Sequence, residues 1–69
     1  MATTKERFGR KVQKLRKELG YTQEGLAEKL NISRTHMGHI EQGRKSPSLK
    51  LMEKLARALR IKVSELFPF

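Results

Sequence analysis

The apolar positions of the chain fall into short helical stripes. Phe8, Val12, Leu15 and Leu19 recur four, three and four residues apart, the spacing of an amphipathic helix, and predict a first helix over about Thr4 to Leu19. Thr3 or Thr4 can cap its start, and Gly20 supplies a left-handed residue past its end. Leu26, Ala27 and Leu30 form the inner face of a second, shorter helix, whose start is marked by Thr22, a hydroxyl able to accept from the amide of Glu24 or Gly25. Asn31 tolerates positive φ and predicts a tight corner, Ile32 points inward, and Ser33 caps a third helix from about Arg34 to Gln42. Met37 and Ile40 are the buried face of that helix and Gly43 its stop.

Two short helices joined by so few residues cannot lie side by side along their length. Small Ala27 allows a close, steep crossing, Asn31 makes the corner and Ile32 pins it. One flank of the third helix is thereby left with nothing of its own to pack against. It carries Arg34, Thr35, Gly38 and His39, with His36 near its edge and no acidic residue before Glu41. A helix about 10 to 12 Å across matches the roughly 12 Å width of the B-DNA major groove.

Charge points the same way. Sixteen Lys and Arg against seven acidic residues leave a net charge of +9 on 69 residues. The excess is spread over both halves of the chain, so it marks a folded basic surface for a polyanion and not a charged tail. Arg7, Arg10, Lys11, Lys14 and Lys17 make the outer face of the first helix almost purely basic. The length allows one domain, residues 1–69, with a small core. No cysteine is present for a disulfide or a thiolate zinc site, and neither a signal peptide nor a membrane span is legible, which together lead to the expectation of a cytoplasmic chain.

The run TQEGLAEKLNISRTHMGHIEQGRKSPSL closely resembles the helix-turn-helix of the lambda-repressor and Cro-like (XRE-type) DNA-binding family. The likeness joins Thr22-Gln23-Glu24, Leu26-Ala27, Ser33, Ile40-Glu41-Gln42-Gly43 and Pro47-Ser48-Leu49 at fixed spacing, and extends from FGRKVQKLRKELG to LARALRIKVSELF. It implies an all-α, compact five-helix domain with its helix-turn-helix over about residues 22–43. The remaining pattern agrees, since Ser48 can cap a helix bearing Leu51, Met52, Leu55, Ala56 and Leu59, and Ser64 can open a final turn with Leu66 and Phe67. The corner glycine of the family is Asn31 here, Gly25 stands where a better helix former is common, and Arg60 occupies a place often held by glycine.

The resemblance also assigns roles. Gln23, at the free amides of the second helix, is placed as a phosphate clasp. Arg34 opens the recognition helix, where its planar fork can bond O6 and N7 of a guanine. Thr35 can meet a thymine methyl or a phosphate, and His39 can reach a base or the backbone. Arg44, Lys45, Ser46, Ser48 and Lys50 lie where similar domains grip the sugar-phosphate chain. The expected function is sequence-specific regulation of transcription on double-stranded DNA, with the likeness greatest to controller proteins of restriction-modification systems. The alternative is an antitoxin or phage-type repressor whose main role is to bind a protein partner.

Other chemistries find less support. His36 and His39 stand three residues apart, but no Cys, Asp or second histidine pair completes a metal site, and no cofactor motif, paired carboxylates or activated nucleophile suggests an enzyme. The first helix has too narrow an apolar stripe, and no tryptophan, for a membrane surface. An A-form RNA duplex would exclude the third helix from its narrow major groove. With the first helix starting near Met1 and the chain stopping at Phe69, regulation by concentration or a protein partner is expected, with no small-molecule ligand. Val63, Leu66, Phe67 and Phe69 offer more apolar surface than so small a core should absorb, and predict a homodimer joined through the C-terminal region; the competing reading is that Leu66 and Phe67 close the core.

Overall fold

The computed structural model describes residues 2–67 as four α-helices and a closing 3-10 turn: α1 (Thr4–Glu18), α2 (Gln23–Leu30), α3 (Arg34–Glu41), α4 (Leu49–Ala58) and the turn Val63–Leu66. Each α-helix begins in the same way. Thr3, Thr22, Ser33 and Ser48 sit in extended backbone, and their hydroxyls accept from the amides of Glu6, Gly25, His36 and Leu51. Thr3 completes a capping box by donating its amide to Glu6 Oε1 at 2.8 Å. That amide, and then the Thr3 side chain, hold the Glu6 carboxyl below 4.5, so the contribution of the box is present above that pH and is lost as pH falls through the lowered value.

The helices also end alike. Gly20, Asn31, Gly43 and Arg60 all have positive φ, at 80, 59, 77 and 60°. After each, the chain donates back to the last turn, as in Ile32 N–H to the Ala27 carbonyl at 3.0 Å and Ile61 N–H to the Ala56 carbonyl at 3.0 Å. The corner expected at Asn31 is this left-handed residue. The departure noted at Arg60 is a side chain held in a conformation that glycine adopts without steric cost.

The core gathers Phe8, Val12, Leu26, Ala27, Leu30, Met37, Ile40, Leu51, Leu55, Ala56, Ala58, Leu59 and Leu66, with α3 packed on α1 and α2, and α4 on α2. Two expectations are corrected. Leu19 does not continue the inner stripe of α1: the helix stops at Glu18 and Leu19 is 42% exposed, while Arg16 takes the buried place one turn after Val12. The fifth helix is one 3-10 turn, started at Lys62 and not at Ser64, because the Glu65 carboxylate reaches back to the Lys62 amide at 3.3 Å. That turn sends Leu66 into the core and lays Phe67 against Phe8, ring centroids 5.6 Å apart.

Replacing Arg60 by glycine removes the steric cost of the left-handed turn but adds freedom to the unfolded chain. The expected net gain is about 0.5 to 1 kcal/mol. Urea denaturation at fixed protein concentration checks it, and a loss of stability would show that the Arg60 side chain contributes more than its backbone costs.

Candidate nucleic-acid interface

The third helix is held from beneath by charge as well as by apolar packing. Arg16 Nε donates to Glu41 Oε2 at 2.6 Å and Nη2 to Oε1 at 3.2 Å, a two-pronged pair. Their side chains are 9% and 1% exposed. The remaining guanidinium nitrogen, Nη1, donates to the Tyr21 carbonyl at 2.8 Å, and Gln23 Nε2 donates to Glu41 Oε1 at 3.1 Å. One carboxylate at the end of α3 thus fastens α1, the α1–α2 turn and the start of α2. A buried pair repays its desolvation only when its hydrogen-bonding groups are satisfied, and no buried side-chain nitrogen or oxygen is left without a partner among the described residues.

The same contact is close in backbone terms. A Cβ on Gly9 would meet the Ile40 carbonyl oxygen at 2.5 Å, and one on Gly43 would lie 2.7 Å from Glu6 Cα. Only glycine at these two places lets α1 approach the end of α3. Because Glu41 is turned inward and paired, the sole carboxylate of α3 is withdrawn from its outer surface.

Met37 and Ile40 are fully buried, and the opposite flank is open. Arg34, Thr35, Gly38, His39 and Gln42 line a surface groove completed by Gln23 and Arg44. The structure therefore brings Arg34, Thr35 and His39 together on one flank, with Arg34 and Thr35 exposed and His39 half-buried. The Arg44 and Lys45 amides both donate to the His39 carbonyl, at 2.8 and 3.4 Å, which folds the following loop against the end of α3. Arg44, Lys45, Ser46, Ser48 and Lys50 are all exposed along this loop and the start of α4, around a buried Pro47. His36 lies apart from the first groove and lines a second, with Ser48, Lys50 and Lys54.

Some placements differ from the sequence reading. Gln23 lies at the groove with one of its two amide N–H donors committed to Glu41, so its second N–H and its carbonyl oxygen are the side-chain groups left for a ligand. Ser48 Oγ accepts from the Leu51 amide at 3.1 Å, which leaves its hydroxyl proton to donate outward. Leu66 is fully enclosed by its own chain and is removed from any partner surface, because the 3-10 turn aims it into the core. Val63 is 38% exposed, Phe67 is partly buried against the core, and Phe69 lies outside the described residues. Gln42 joins the groove without a role assigned from the sequence, and Leu49 is an exposed apolar side chain beside the loop. Gln42 falls two turns after Arg34, a spacing that could have marked it, whereas the 76% exposure of Leu49 follows from its place outside the α4 stripe.

The family model described as helix-turn-helix (HTH_3) matches residues 12–66. The chain is 43% identical over 63 residues to an uncharacterized HTH-type transcriptional regulator, YazB, of Bacillus subtilis, covering 91% of each. It is 43% identical over 68 residues to the control protein C.MunI of a Mycoplasma species, covering 97% of this chain and 92% of that one. The crystal structure of the restriction-modification controller protein C.AhdI from Aeromonas hydrophila superposes with a TM-score of 0.85 at 39% identity, over 90% of this chain and 94% of that one.

Removing one member of the buried pair leaves the other charged and unpaired. Arg16→Met is expected to cost about 3 to 5 kcal/mol in urea denaturation, and adding Glu41→Leu to recover a large part of it. A double variant no more stable than Arg16→Met would contradict this picture of the pair.

Proposed function

The chain belongs to the helix-turn-helix family of DNA-binding transcriptional regulators, and from that premise we propose that it reads a pseudo-palindromic operator in double-stranded DNA as a homodimer. Arg34, Thr35 and His39 read base edges from α3, while Gln23, Arg44, Lys45, Ser46, Ser48 and Lys50 hold the sugar-phosphate backbone. The observation that carries this reading is the open flank of α3, which is basic, exposed and stripped of its one carboxylate by the Arg16 pair. A major groove lined with acceptor atoms and flanked by phosphates suits that flank.

Similarity to C.MunI over nearly the whole chain, and to the C.AhdI structure, supports a restriction-modification controller as the biological role, acting in the cytoplasm at the nucleoid. A cleft between Thr4, Phe8, Pro47 and Phe67 holds only about 70 Å³, against the roughly 300 Å³ or more of small-ligand sites, and the larger concavities are open surface grooves. We infer control by protein concentration or by a protein partner, without a small-molecule effector. Val63, with the outer parts of Ile61 and Phe67, supplies the apolar surface for a symmetric partner. A twofold axis there would double the contacts and require half-sites about one helical turn apart.

Selection from randomised duplexes at a stated salt concentration tests the reading. Arg34→Ala is expected to lose about 1 to 3 kcal/mol on the best site and relax preference at one guanine, whereas Lys45→Ala weakens all sequences alike and lowers the salt slope by about one. If no motif emerges and single-stranded RNA competes equally, the assignment is wrong.

The dimer is tested separately by sedimentation of the wild type and of Val63→Glu, which alters the exposed patch without touching the Phe67 to Phe8 contact. The wild type should sediment as a dimer at tens of micromolar and the variant as a monomer with weakened binding to full palindromes. A wild type that stays monomeric and binds half-sites as tightly as palindromes would exclude the arrangement.

A further inference from the structure

Glycine inside a helix is unfavourable, and each of the other four glycines has an intramolecular reason to be where it is. Gly9 and Gly43 stand against backbone that a Cβ would strike, Gly20 and Gly43 have positive φ, and a Cβ on Gly25 would come within 3.0 Å of the Thr22 hydroxyl that caps its own amide. Gly38 is different. It lies in the middle of α3 with ordinary helical backbone, and the nearest atoms to an added Cβ are Gln23 Oε1 at 3.9 Å and Nε2 at 4.0 Å, ordinary contact distances. The fold would accept alanine there, and helix propensity favours it.

Nothing among the described residues requires glycine at this position. Gly38 sits one turn after Arg34 and one turn before Gln42 and lines the open groove with Thr35 and His39. We propose that Gly38 is a specificity-determining clearance position, where the missing Cβ lets the methyl group of a thymine in the major groove rest against the Cα of α3. The inference rests on the DNA-binding reading of α3 and adds a contact that reading did not contain. The chemistry selects the ligand. In mid-helix the Gly38 amide is taken up by the helix ladder, so the residue presents only Cα–H surface outward, and the apolar feature of the major-groove edge is the C5 methyl of thymine. A side-chain methyl at this point would occupy the space the thymine methyl fills and hold the helix off the base pairs. Even a gap of 0.5 to 1 Å forfeits a quarter to a half of each dispersion contact, and it would also stretch the hydrogen bonds made by Arg34.

The test uses the full chain and the motif it selects. Replacing the thymines of that motif one at a time by deoxyuridine, which lacks the C5 methyl, should weaken wild-type binding about fourfold at one position in each half-site, the worth of one buried methyl group. Gly38→Ala should bind the selected site several-fold more weakly, lose its preference between thymine and deoxyuridine at that position, and keep its affinity for unrelated duplex. Its thermal midpoint should rise by about 4 °C or more, because alanine is the better helix former. Unchanged affinity and motif for Gly38→Ala would overturn the inference, as would an even loss over all sequences, which marks a phosphate approach, or a lowered midpoint, which marks a role within the fold. If the wild type itself selects no motif, it is the DNA-binding reading that fails.

Discussion

The arrangement of this domain depends on one buried carboxylate. Glu41 sits at the end of a helix of eight residues, too short to be stable by itself, and receives hydrogen bonds from Arg16 and Gln23. Arg16 in turn holds the Tyr21 carbonyl, so the network touches α1, the turn after it, α2 and α3 together. Apolar packing of Met37 and Ile40 tells α3 which side faces inward but leaves freedom to slide or rotate. A planar fork with fixed partners restricts that freedom, and the glycines at 9 and 43 let the backbones close on it.

Function follows from what this network removes as much as from what it builds. Left at the surface, Glu41 would set a negative charge beside Arg34 and His39 on the helix proposed to meet DNA. Drawn inward and neutralised, it leaves an outer flank of Arg34, Thr35, Gly38, His39 and Gln42 with Arg44 alongside. The same glutamate thus fixes the helix and withdraws its one negative charge from the flank proposed to face DNA. The small core adds to the constraint, because each helix relies on its own hydroxyl cap and left-handed exit to keep its ends satisfied.

Much of this was legible in the sequence because it is local. Thr22 and Ser33 mark helix starts through hydroxyl chemistry that acts over three residues, Asn31 and Gly43 mark exits through their own φ, and the membership of the helix-turn-helix family was recognisable from the residues between them. What escaped is non-local. Arg16 looks like one more cation on a basic helix, and only the distant Glu41 makes it a core residue. Leu19 fits the stripe by spacing, but the helix ends before the stripe can use it. The sequence alone does not show that the 3-10 turn points Leu66 inward, nor that the Gln23 amide serves the distant Glu41.

The α3 flank and the loop after it are the surface proposed to meet DNA. The most direct measurement is an assigned amide correlation spectrum of the isotope-labelled protein, titrated with a duplex chosen by selection. The largest changes should fall at Gln23, from Ser33 to His39, at Gln42 and from Arg44 to Lys50, with the outer face of α1 at Arg10, Lys14 and Lys17 undisturbed. Changes centred on that α1 face, with the α3 flank silent, would contradict the account.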